Sequence, residues 1–137
     1  MDYGGHFTRI SSDECRQLVR ARAVGRIAWA DAAGVQVLPV SYTVNDGRIA
    51  FLTHPDSVMS TFLEPTEVAF EVDDVEEDTA TGWSVVVRGR ALGYLDAVPD
   101  GIQPPLPWAP GDNRLTVVIE PSGYTGRAVS ADIPGGS

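Results

Sequence analysis

Between Val35 and Val58 the chain reads VQVLPVSYTVNDGRIAFLTHPDSV, and this stretch limits the fold more than any other. Val35, Val37, Leu38, Val40, Tyr42 and Val44 favour extended backbone, with a partial alternation of apolar and polar positions. Asn45-Asp46-Gly47 predicts a tight hairpin turn, because Gly47 accepts the positive φ that such turns need. Arg48 to Thr53 then returns as the second strand. Pro39 has no N–H to give a ladder, which places it at a sheet edge or a bulge. The polar residues that follow, Thr53, His54, Asp56 and Ser57, face that strand and make a place to hold a ligand. The same pattern also describes a plain hairpin in a β-barrel.

The remaining chain supports a mainly β fold. Residues 1–10 read as an irregular lead-in. Ser11 with Glu14 forms a capping box ahead of an apolar-periodic run through Cys15, Leu18 and Val19, which predicts a helix that Gly25 stops. Gly25 to Ala30 is a strand with Ile27 and Trp29 on one face. Pro55 to Leu63 is expected as a short helix whose apolar face is Val58, Met59, Phe62 and Leu63. Glu67 to Asp73 is a fourth strand, followed by an acidic loop from Asp73 to Asp78 that lacks the spacing and glycine of a calcium loop. Gly82 to Asp96 is the longest β-pattern, with Trp83, Val85, Val87 and Ala91 on one face and Ser84, Val86, Arg88, Arg90 and Leu92 on the other. Gly89 and Gly93 would let so long a strand bend. Five prolines between Ala97 and Asn113, with Trp108 among them, predict an extended loop. Arg114 to Glu120 is the last strand, and Tyr124 to Arg127 a short closing segment. The expected organisation is one domain over residues 1–130 and a flexible tail over 131–137. Short strands with only two helices point to an all-β, six-stranded split barrel of Greek-key type.

Composition narrows the chemistry. A chain of 137 residues with 43% apolar residues can bury a real core without staples. The single Cys15 forms no internal disulfide and fits a reducing cytoplasm; on the apolar stripe it reads as buried and inert. The N-terminus lacks the basic and apolar regions of a signal peptide, and no apolar run is long enough to span a bilayer. The expected location is therefore the cytoplasm, with no membrane partner. A net charge of −9 disfavours nucleic acid, whose affinity comes from basic side chains. All 10 basic residues are arginine. Without lysine there is no side-chain Schiff base and no Walker P-loop. A nucleophilic serine at Ser84 would lack the glycine two residues on that a nucleophile elbow uses.

Several stretches, in this order and spacing, resemble the flavin-binding split-barrel family typified by pyridoxamine 5′-phosphate oxidase, and its small actinobacterial members in particular. They are Val24-Gly25-Arg26-Ile27-Ala28, Pro39-Val40-Ser41-Tyr42, Val68 to Asp73, Gly82 to Ala91, Pro107 to Gly111, and Thr125-Gly126-Arg127. The resemblance implies a homodimer with two small-molecule sites at the dimer interface. It implies FMN lying along Val40, Ser41 and Tyr42, with its phosphate near Leu52 to Val58, where Thr53 and Ser57 would contact it. Trp83 or Trp108 would wall the pocket. Many family members carry basic residues where this chain has Leu52 and Val58. Losing two hydrogen bonds to a charged group costs about 3–6 kcal/mol, or roughly two to four decades in affinity. Helix N-terminal amides around Asp56 and Ser57 could still hold a phosphate, although Asp56 places a negative charge there, and Arg48, Arg88 or Arg90 could compensate from elsewhere.

The leading expectation is a flavin-dependent oxidoreductase of unknown substrate, using FMN or, in the same site, a deazaflavin. The isoalloxazine would do the redox chemistry and the protein would position it. The alternative is a non-catalytic dimeric barrel that has lost FMN and binds another small molecule. A haem site is a third reading, with His6 and His54 as the available imidazoles. The chain shows no match to the substrate-phosphate residues of true pyridoxamine-phosphate oxidases.

Overall fold

The computed structural model describes residues 5–55, 58–106 and 114–131. It is a single curled antiparallel sheet with one α-helix. The strands are β1 (Gly5–Ile10), β2 (Val24–Asp31), β3 (Gly34–Ser41), β4 (Thr43–Asn45), β5 (Arg48–Thr53), β6 (Thr66–Glu76), β7 (Thr81–Leu95) and β8 (Leu115–Ala131). They run in the order β3-β2-β6-β7-β8-β5-β4, with β1 added along the far half of β8. The sheet curls until β3 and β5 touch, which makes the split barrel expected from sequence.

Eight strands appear instead of six, for two reasons. The lead-in is not irregular: Gly5 to Ile10 pairs with Gly126 to Ala131 and forms β1. The first arm of the central hairpin breaks at Tyr42 into β3 and β4. The closing segment is likewise no separate piece. β8 runs unbroken through Pro121 because one residue, Ser122, bulges out of the ladder between the Gly89–Pro121 and Arg88–Gly123 pairs. The Ser122 hydroxyl donates to the Arg88 carbonyl at 3.1 Å. Gly89 is required there, since a Cβ would collide with the Glu120 carbonyl.

The helix α1 (Ser12–Arg20) is capped as the sequence predicts, the Ser11 hydroxyl accepting from the Glu14 N–H at 3.2 Å. It ends at Ala21, before Gly25. Gly25 has a different task inside β2: the Phe70 ring lies against it, and a Cβ would sit 2.5 Å from the ring edge. Cys15 and Val19 plug one end of the barrel. The thiol is buried and donates to the Ile10 carbonyl at 3.8 Å, and burial raises its pKa. Phe51, Phe62, Phe70, Ile27 and Ile49 fill the interior with no solvent exposure. The expected second helix is a 3-10 helix over Val58–Leu63. Met59 and Phe62 enter the core, whereas Val58 and Leu63 are exposed, so only half of the predicted apolar face is used.

The acidic run also departs from expectation. Asp73 to Glu76 continues β6 rather than forming a loop. The turn of the central hairpin is as predicted, with positive φ at both Asp46 and Gly47. Pro39 lies on β3, the edge of the strand order. The described part of the proline-rich loop is strapped to the hairpin. Gln103 bonds Asn45 and Thr43, Arg48 donates to the Asp100 carbonyl, and Ile102 buries Ala50 and Val118. Trp108 lies outside the described residues.

Candidate functional site

One face of the curled sheet holds the core; the register fixes what the other face presents. Alternation along β2, β6 and β7 sends Ile27, Phe70, Val85 and Val87 inward and their neighbours outward. One outward row crosses Pro39, Arg26, Glu71, Val86 and Thr125. The row on one side of it crosses Asp73, Ser84, Arg127 and Arg9. On the other side lie Val37, Ala28, Ala69, Arg88 and Gly123. Neighbouring rows are about 7 Å apart along the strands. The margins of this face are apolar and exposed: Val35 76% and Val37 58% on β3, Phe7 71% on β1 and Val75 66% on β6.

The residues expected to contact a cofactor divide across this framework. Val40 and Tyr42 point inward and belong to the core. The Tyr42 hydroxyl donates a short bond to the Val19 carbonyl, its ring meets Phe70 edge-on at 4.9 Å, and burial pushes its pKa up to about 12. Tyr42 therefore ties α1 to the sheet, and a ligand along β3 meets only its backbone. Ser41 is half-buried opposite Val24 on the outward face. Thr53 ends β5 opposite Leu115. Trp83 is half-buried at the rim of the core, opposite Ala128, with the Arg22 guanidinium 5.9 Å from its ring. Ser57 lies outside the described residues. Thr53 and Trp83 are thus separated by the stretch of β8 from Leu115 to Ala128, roughly 40 Å at the usual rise per residue. Within one protomer the fold does not bring them together.

Besides the Arg90–Glu67 pair, the charges on the outward face form two groups. On β2 and β6, Arg26 lies between two carboxylates, 3.4 Å from Glu71 and 3.2 Å from Asp73. Burial, then the hydrogen bond and charge of Asp73, raise the Glu71 pKa to about 7, with Arg26 opposing. On β1, β7 and β8, a groove of about 780 Å³ is lined by Arg9, Arg88 and Arg127 together with Phe7, Ser84 and Thr125. Arg88 donates to the Thr125 hydroxyl at 3.0 Å, and Arg127 stacks 5.8 Å from the Phe7 ring. Of the three arginines considered from sequence as substitute phosphate ligands, Arg48 is held by the Asp100 carbonyl and Arg90 by Glu67 at 2.9 Å. Arg88 faces the groove of about 780 Å³, whereas Arg48 lines a smaller one of about 260 Å³ together with Asp46 and Glu120. Arg9 and Arg127 were not foreseen, because the lead-in and the closing segment carry no local sign that they pair. Among the described residues no group of His, Cys, Asp and Glu could hold a metal ion. None of their helices is long and apolar enough to cross a membrane.

Comparison with known proteins agrees with this geometry. The family model described as pyridoxamine 5′-phosphate oxidase matches residues 11–99. This chain belongs to that family. It is 32% identical over 130 residues to the uncharacterized protein Rv0080 of Mycobacterium tuberculosis, covering 90% of this chain and 86% of that one. Among solved structures it is similar to the FAD binding protein from Mycobacterium smegmatis, at 27% identity and a TM-score of 0.69, covering 90% of this chain and 98% of the other. A FAD-binding protein from Mesorhizobium loti superposes with a TM-score of 0.72 at 23% identity, covering 93% and 99%, which shows the shared fold. The family's split barrel is therefore the fold of this chain.

Proposed function

We propose that this protein is a flavin-binding oxidoreductase that works as a cytoplasmic homodimer. The observation that carries the reading is the separation of Thr53 from Trp83 at opposite ends of β8 in a chain of this family. A two-fold partner laid across the outward face would bring the β5 end of one protomer towards the β7 rim of the other. The exposed Val35, Val37 and Val75, on β3 and β6, give that partner apolar surface to cover.

The residues present suit a flat ring system. Ala28 and Ala69 leave the middle of the outward face low, with Val37 beside them on β3, and Ser41 offers a hydroxyl two outward positions further along that strand, opposite Val24. The backbone of Val40 and Tyr42, the Ser41 side chain, Thr53, Ser57 and the partner's edge of Trp83 would hold the flavin. When bound, the isoalloxazine supplies hydride transfer. The protein's own part is to orient the ring and keep water from its faces.

The nature of the flavin follows from its phosphate. Leu52 is half-buried and Val58 is 51% exposed, so neither end of this segment offers a cation to FMN. That favours a flavin whose phosphates are held elsewhere, and the M. smegmatis relative is a FAD-binding protein. It also supports the second reading, a dimeric barrel without FMN that takes a deazaflavin or another small molecule.

The deciding experiment is an absorption spectrum of the purified protein, followed by titration with FMN, FAD and a deazaflavin, with the mass in solution measured alongside. Saturable flavin binding by a dimer is the expected result. A colourless dimer that ignores all three would leave the non-flavin reading, and a monomer would remove the shared site.

A further inference from the structure

We infer that the groove between β1, β7 and β8 is a nucleoside diphosphate site, with Arg9, Arg88 and Arg127 on the phosphates and Phe7 against the base. In a chain of net charge −9, arginines find carboxylates easily. Arg16, Arg22, Arg26, Arg90 and Arg114 all do. Of the two others outside the groove, without an ion pair among the described residues, Arg20 sits in the last turn of α1, where the helix dipole favours a cation, and Arg48 donates to the Asp100 carbonyl. Arg9, Arg88 and Arg127 make no ion pair among the described residues, and all three line one groove.

Their placement is costly without an anion. Arg9 and Arg127 are direct cross-strand partners on the outward face, and like charges so placed repel. The Arg88 guanidinium is drawn to Thr125, one outward position along β8 from Arg127, about 7 Å away. The three cations thus span a short stretch of one groove, with the Ser84 and Thr125 hydroxyls between them. Arginine forks match phosphate oxygens, and two or three of them suit a diphosphate better than a single carboxylate. Phe7, 71% exposed beside Arg127, supplies an aromatic face next to the anion. A volume of about 780 Å³ admits a nucleotide.

This chemistry has two sources, the ADP half of a flavin dinucleotide or a nicotinamide nucleotide acting as reductant. The inference stands apart from the flavin reading, since it concerns an anion site that does not involve β3.

The test is calorimetric titration of the intact protein with ADP at low salt. ADP is expected to bind more tightly than AMP, and adenosine not at all. Arg9→Gln and Arg127→Gln should each weaken ADP about tenfold to a hundredfold, the usual loss for a hydrogen bond to a charged group. Phe7→Ala should weaken ADP but leave inorganic pyrophosphate unchanged. Arg90→Gln, on the same face but paired with Glu67, should change neither. Folding is checked by melting in anion-free buffer, where the Arg9 and Arg127 variants should match or exceed the parent. Competition by FAD with its visible band bound identifies the flavin source, and competition by NADPH the reductant; either supports the site. Absence of ADP and pyrophosphate binding at millimolar concentration would overturn it. So would ADP binding that survives the Arg9/Arg127 double substitution, or a double variant whose only change is loss of the dimer. If FMN and FAD fail at β3 while ADP binds as described, the flavin reading falls and this one stands.

Discussion

Arg26 and Arg127 lie on the same outward face of the same sheet, in opposite surroundings. Arg26 sits between Glu71 and Asp73, so a cation is nearly surrounded by acid. Arg127 faces Arg9 directly, and Arg88, two outward rows away, reaches Thr125 beside it, so three cations share a groove whose lining holds no acid. Both regions belong to one acidic chain, and both rest on a barrel floor. The first rests on Phe70, which meets Tyr42 edge-on. The second rests on Gly126, pressed against Cys15 of α1. The contrast teaches that ion pairing settles the β2–β6 side internally, whereas Arg9, Arg88 and Arg127 on the β1–β8 side have no carboxylate partner among the described residues.

That comparison can be broken from below. Phe70→Ala should destabilise the protein by about 3–5 kcal/mol, because it empties a fully buried ring site that Gly25 was kept small to accommodate. Chemical denaturation measures this directly. A loss under 1 kcal/mol would mean the floor collapses freely. On the groove side, Gly126→Ala should cost about 1–3 kcal/mol, since the new Cβ would lie 2.6 Å from the Cys15 sulfur and force α1 outward. Adding Cys15→Ala should recover part of that loss, which a double-mutant cycle reads out.

The charges themselves give smaller effects. Glu71 has a folded pKa raised to about 7 from an ordinary 4.5. The folded state therefore holds more proton than the unfolded state between those values, and stability falls as pH rises through that window. In Glu71→Gln this fall should flatten, visible as denaturant midpoints between pH 5 and 8 that change less than in the parent. An unchanged slope would assign the pH dependence to other groups. The smallest effect belongs to Arg9→Gln in anion-free buffer. Relief of a cross-strand repulsion should raise stability by about 0.2–1 kcal/mol. A loss of stability instead would show that Arg9 already has its counter-charge within the protein.

Much of the fold is legible because the signals are local. The Asn45-Asp46-Gly47 turn, the Ser11 cap, and the alternation of Val85, Val87 and Ala91 each need only a few neighbouring residues. The elements missed were those whose cause lies far along the chain. Gly5 to Ile10 has little β-pattern of its own and is a strand only because β8 offers an edge. β8 passes Pro121 only because the Ser122 bulge absorbs it. The candidate site is less legible still. The sequence marks Val40, Ser41 and Tyr42 as cofactor contacts, and alternation turns the side chains of Val40 and Tyr42 into the core and leaves Ser41 outward. Thr125-Gly126-Arg127 is one of the stretches that carry the family resemblance, but nothing local gives Arg127, or Arg9, a place in a site.

The sequence by itself determined the β-rich class, the capped helix, the hairpin and its edge proline, and a chemistry restricted to arginine as the only strong cation. Each follows from backbone preference or composition. Only the tertiary structure decided which charges neutralise one another and which stand together uncompensated. Cross-strand register sets Arg26 against Glu71 and Arg9 against Arg127. Register is fixed by burying a whole face of the sheet at once, and a one-residue slip would expose it. No short stretch of sequence contains that information.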